Sequence, residues 1–147
     1  SERHEDLKTT LARLLEAWAD EAGVELEGRG AWTLRTSAAL KGGVEPDECY
    51  FVGARGRKKV PDLAIEVAWS RSGLDKLEVY RRLRVGEVWV WEDGEIHVFA
   101  LRRRGYEPRS RSLALPRVDL RLLARCLEEP SQTRAVRRLR AALQAAH

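Results

Sequence analysis

Apolar residues recur at helical spacing near the start of the chain. Leu7, Leu11, Leu14, Leu15, Trp18 and Ala22 lay one apolar stripe along residues 5–22, and Gly23 stands where a helix would stop. Residues 24–26 and 31–34 read as short strands, joined by a turn at Glu27-Gly28-Arg29-Gly30. After Gly42-Gly43, residues 47–52 read as a strand and 53–59 as a solvated basic loop. The clearest strand is 62–68, with Leu63, Ile65 and Val67 on one face and Asp62, Ala64 and Glu66 on the other. A helix follows over roughly 74–84, turning Leu77, Tyr80 and Leu83 to the core, and Val85-Gly86 ends it. Residues 87–92 alternate, Asp93-Gly94 is a two-residue hairpin signal, and 95–101 is the return strand. Residues 102–105 form a second turn, 106–115 add extended pieces, and Pro116 interrupts them. A short helix at 119–127 and a last helix, opened by Pro130-Ser131 and reaching about Ala146, close the order.

This order predicts an α/β fold: a central mixed β-sheet flanked by helices, with C-terminal helices over 119–147. The length fits one domain spanning 1–147. Lys and Arg total 27 against 23 Asp and Glu, a net charge of +4, which permits an anionic partner without demanding one. The arginine excess fits the charged surface networks of heat-adapted proteins as well as it fits phosphate binding. Cys49 and Cys126 form no CxxC pair, which argues against a zinc site and for reduced, buried thiols in a cytoplasmic protein. No apolar run approaches the ~20 residues of a membrane span, and no secretory signal is present. The chain opens at Ser1 without Met, from which a missing N-terminal segment is expected.

Three polar features remain. Asp47 follows Pro46 at a strand start, Glu66 stands in the middle of a buried strand, and Lys76 lies on the helix after it. A carboxylate directed from a buried strand costs free energy unless something satisfies it. Two carboxylates on neighbouring strands offer hard oxygens suited to Mg²⁺. Such an ion lowers the pKa of a bound water, and a nearby lysine stabilises charge on a phosphate, so the set is one way to hydrolyse a phosphodiester.

The run Pro46-Asp47, then Pro61-Asp62-Leu63-Ala64-Ile65-Glu66-Val67, Ser70, Asp75-Lys76-Leu77-Glu78-Val79-Tyr80 and Val85-Gly86-Glu87-Val88-Trp89 resembles the Uma2 family, from about His4 to about Leu127. The resemblance implies a PD-(D/E)XK, restriction-endonuclease-like core. It implies Asp47 as the "PD" aspartate, Glu66 as the acid of the second motif, and the pair as ligands of Mg²⁺ or Mn²⁺. The family's lysine two positions after Glu66 is replaced by Ala68, and Lys76 is the matching substitute. The implied activity is metal-dependent endonucleolytic hydrolysis of DNA, with Asp47, Glu66 and Lys76 catalytic. The alternative is an inactive nuclease fold that binds DNA or protein, and Ala68 motivates it. The resemblance also implies a segment before His4.

Plainer roles compete at each position. Asp47 also suits a strand-start residue bonded to its own loop, and Asp62 a turn or cap residue. Glu66 also suits a partner of a basic residue in the sheet, and Lys76 a surface charge. Tyr80 reads as core. Glu5 reads as a helix-dipole partner, with a ligand role second. His4 and His97 read as isolated, with His97 facing outward. The five tryptophans read as core, although Trp69 could stack on a base. Arg55, Arg57, Lys58, Lys59, Arg102, Arg103, Arg104, Arg134, Arg137, Arg138 and Arg140 would grip phosphates only if they flank the acids. The hairpin at 87–101 and the last helix are the candidate surfaces for a homodimer.

Overall fold

The computed structural model describes residues 2–30, 34–35, 43–44, 46–67 and 76–146. Helix α1, Glu2–Ala22, buries the predicted stripe and stops at Gly23, whose φ of 69° is the left-handed conformation that closes a helix C-terminus. The amide of Val24 reaches back to the Ala19 carbonyl at 2.9 Å. Strand β1 is Leu26–Gly30, so the expected turn at 27–30 is instead a strand, paired antiparallel with β4, Glu48–Val52. The reason lies in a cross-strand pair: Gly28 faces Tyr50, and a Cβ on Gly28 would stand 2.9 Å from Tyr50 Cε1. The glycine makes room for a ring that covers the gap in the strand. Residues 31–33, the first part of the second expected strand, lie outside the described residues; β2, Leu34–Arg35, and β3, Gly43–Val44, form a separate small ribbon.

The main sheet has the order β1-β4-β5-β6-β7-β8. Strand β5, Leu63–Val67, runs antiparallel to β4 and parallel to β6, Glu87–Glu92, so the sheet is mixed and open. A parallel neighbour needs a crossover, and helix α2, Leu77–Leu83, lies on that crossover. Asp93 and Gly94, with φ of 51° and 77°, make the hairpin turn from β6 into β7, Glu95–Arg102. Strand β8, Gly105–Arg109, completes the edge. Helices α3, Leu120–Cys126, and α4, Gln132–Ala145, start where Asp119 and Ser131 accept from the Leu122 and Arg134 amides at 3.0 and 3.1 Å.

Two cores result, one on each face of the sheet. On the first face Leu11, Leu14, Leu15 and Trp18 of α1 pack with Leu63, Ile65, Trp89 and Val98 and with Leu123 and Leu139 of α3 and α4. On the second, Tyr80 and Leu83 of α2 cover Ala64, Val88 and Val90. Both central strands are therefore buried on both sides, as the near-continuous apolar runs of parallel neighbours require. Within the chain β6 is central, and α4 packs on α1, with Arg140 Nη1 3.0 Å from Glu21 Oε1. Cys49 and Cys126 are buried free thiols. Among the described residues no helix is long and apolar enough to cross a membrane.

Candidate active site

Glu66 is the fourth residue of β5, in the interior of the sheet on the face that α2 covers. Only 3% of it is exposed. Its satisfaction comes from α2: Lys76, at the N-cap, holds Oε2 at 3.2 Å, and the buried Tyr80 hydroxyl donates to Oε1. Lys76 and Tyr80 are four apart, so one helical turn presents both donors to the same carboxylate. Burial pushes the Glu66 carboxyl above the ordinary carboxylate range, and the charge of Asp47 pushes the same way. Tyr80 and Lys76 pull against them. Burial, then the Glu66 charge, raises the Tyr80 hydroxyl well beyond an ordinary phenol, so it stays a donor.

Asp47 lies one residue before β4 and is held across the strand gap. Its Oδ2 accepts from the Val67 amide at 2.8 Å, next in sequence to Glu66, and lies 3.2 Å from His4 Nε2. The contact is to a neighbouring strand and to α1, not to the residue's own loop. The sequence reading of His4 as isolated is thus corrected: α1 carries it 43 positions along the chain to Asp47, a separation no local pattern registers. Both bonds fall on Oδ2, so Oδ1 lies outside them.

The structure therefore brings Asp47, Glu66 and Lys76 together and adds Tyr80 and His4. Tyr80 is at once core and site, since its ring packs in the second core while its hydroxyl meets Glu66. The signal was available in the spacing from Lys76. Glu66 does pair with a basic residue, and that residue is Lys76 itself. Asp62 serves structure: its Oδ2 accepts from the Val52 amide at 2.8 Å and from Lys58 Nζ at 3.1 Å. Glu5 is exposed beside Lys8 and His4. His97 is exposed beside Glu95. Ala68, Trp32 and Trp69 lie outside the described residues.

A second buried acid was not anticipated. Glu87, at the start of β6, accepts from Trp89 Nε1 at 2.7 Å, from Ser112 Oγ, and from the Leu113 and Ala114 amides at 2.6 and 3.1 Å. Every donor is local or structural, so Glu87 pins the segment before α3 to the sheet rather than taking part in the site.

A six-stranded mixed open sheet flanked by helices is the architecture of a restriction-endonuclease-like fold. The chain belongs to the Uma2 family, described as "Putative restriction endonuclease", whose model matches residues 1–134. No curated protein matches it.

Proposed function

We propose that the protein is a metal-dependent endonuclease that hydrolyses DNA phosphodiester bonds. The carrying observation is Glu66: a buried carboxylate facing Asp47's charge and held by Lys76 and Tyr80. Such a group is expensive to keep and gains its use when a cation shares it. Asp47 and Glu66 would hold Mg²⁺ or Mn²⁺. The donor chemistry fits, since Mg²⁺ is commonly held by one or two carboxylates with water and substrate phosphate completing its shell. The bound ion supplies a more acidic water and neutralises phosphate charge.

The chain's own groups do the rest. Val67 N–H and His4 fix Asp47 by Oδ2, which presents Oδ1. Tyr80 fixes Glu66 by Oε1. Lys76 is partly exposed beside Glu66, where its ammonium can meet a phosphate oxygen and stabilise charge developing there. Glu66 lies among the buried residues of β5 and β6, so its charge acts in a setting of lower dielectric than water.

The test is cleavage of supercoiled and linear DNA with Mg²⁺ or Mn²⁺, beside calorimetric metal titration of wild type and Glu66→Ala. Cleavage that requires metal and is lost in the variant is expected. Normal metal binding with no cutting of any DNA form would sink the catalytic reading. It would favour the inactive binding module, for which the engagement of both Glu66 oxygens by Lys76 and Tyr80 speaks.

A further inference from the structure

At the far end of α2 from Lys76, a concavity of about 310 Å³ is lined by Arg81, Arg84, Leu101, Arg102, Arg103 and Gly105. Four arginines from α2, its C-terminus and the β7–β8 turn converge there, and the lining holds no acid. Glu78 is the nearby acid, and it is shared by Arg81 at 2.7 Å and Arg82 at 3.5 Å. Among the described residues Arg84 and Arg103 have no acidic partner; Arg109, Arg138 and Arg140 are paired with Glu107, Glu129 and Glu21, while Arg134 and Arg137 on α4 are likewise without one.

The concavity is built, not a chance meeting of side chains. Arg84 caps α2 in the left-handed conformation at φ 62°. Tyr106 donates from its hydroxyl to the Val85 carbonyl at 2.5 Å, and the Leu101 amide bonds the Gly86 carbonyl at 2.8 Å. These bonds lock the β7–β8 turn to the end of α2. Gly105, at φ 125°, has no side chain to fill the space, and Arg81 Cδ lies 3.9 Å from where its Cβ would stand. The guanidinium groups of Arg84 and Arg103, which no acid in the lining pairs, are well suited to phosphate oxygens, which they can meet bidentately.

The geometry points to this arginine concavity as a binding site for the DNA phosphate backbone, separate from the acidic site. Eight residues of α2 and its caps (84 − 76) separate Lys76 from Arg84, about 12 Å at 1.5 Å per residue. That is between three and four base steps of a DNA strand at about 3.4 Å each. A duplex laid along α2 meets both ends of the helix. The choice of DNA as the polyanion rests on the nuclease reading; the anion site itself does not.

The experiment is binding of a random-sequence DNA duplex by fluorescence anisotropy over a salt series in EDTA, where cleavage cannot contribute. The variant is Arg84→Gly/Arg103→Ala, in which glycine also suits the left-handed cap. Arg134→Ala/Arg137→Ala, on the opposite face of the sheet, is the control. The expected result is weaker binding by the first pair, with the slope of log K against log salt reduced by roughly two, and no such change in the control. Binding equal to wild type, an equal loss in the control, or no DNA binding by wild type overturns the proposal. So does a loss seen only with duplex RNA or with anionic lipid vesicles. Metal-dependent cleavage measured on the same proteins reports separately on the nuclease reading, which stands if the wild type cuts while the arginine pair proves indifferent.

Discussion

Glu66 is held by opposing demands, and pH separates them. Burial and Asp47 raise its pKa in the folded chain above the unfolded value. The folded state therefore binds this proton more tightly. Its stability contribution is fully present below the ordinary carboxylate pKa and is lost as pH rises through the raised folded pKa. Glu66→Gln removes the titration. In metal-free buffer, the melting temperature of the variant minus that of wild type should grow more positive from about pH 4.5 upward, near the ordinary carboxylate pKa. A difference independent of pH would show that Glu66 is not penalised for its charge. Tyr80→Phe makes the converse change. It keeps the ring in the core and removes one donor from a buried carboxylate, so it should cost about 1.5–3 kcal/mol near neutral pH by denaturant unfolding. A cost near zero would mean that Lys76 alone satisfies Glu66.

Elements are stabilised where single residues fix their ends. Arg84 ends α2 at φ 62°, which a side chain adopts at a cost of roughly 1–2 kcal/mol and glycine adopts freely. Arg84→Gly should therefore stabilise the fold by about 1 kcal/mol in urea unfolding, and a destabilised variant would show that the Arg84 stem packs. Glu87→Gln should act in the other direction. It sets an amide NH₂ against groups that already donate, two of them backbone amides, and should cost roughly 3 kcal/mol. These cases also mark what was legible in the sequence. Asp93-Gly94, Gly23 and the α1 stripe announce their structures because the cause is local: backbone conformation or one helical face. Strand β1 was hidden because Gly28 reads as a breaker until Tyr50 is placed across from it. Asp47, Glu66 and Lys76 stood out through an acid in an apolar strand and through the family pattern. His4 and the cage around Glu87 depend on chain segments 43 and about 25 positions away, brought together only by packing.

The site belongs to the whole molecule, because the residue leading into β4, strand β5, α1 and α2 with its N-cap each contribute one or two of its groups. The unfolded chain presents no such set, so a cation held by Asp47 and Glu66 binds the folded state alone and stabilises it by mass action. At a free concentration 100 times its dissociation constant, Mg²⁺ or Mn²⁺ should add about 2.7 kcal/mol. For a chain of this size that corresponds to a rise in melting temperature of roughly 5–11 °C. In Asp47→Asn/Glu66→Gln the rise should vanish. The comparison is between one protein with and without metal, so the stability change caused by the substitutions themselves cancels. An equal rise in both proteins would place the cation elsewhere on the surface. No rise in either at millimolar metal would remove the cation from the proposal and leave Glu66, Lys76 and Tyr80 as a buried structural cluster, with the arginine concavity to account for any affinity for DNA.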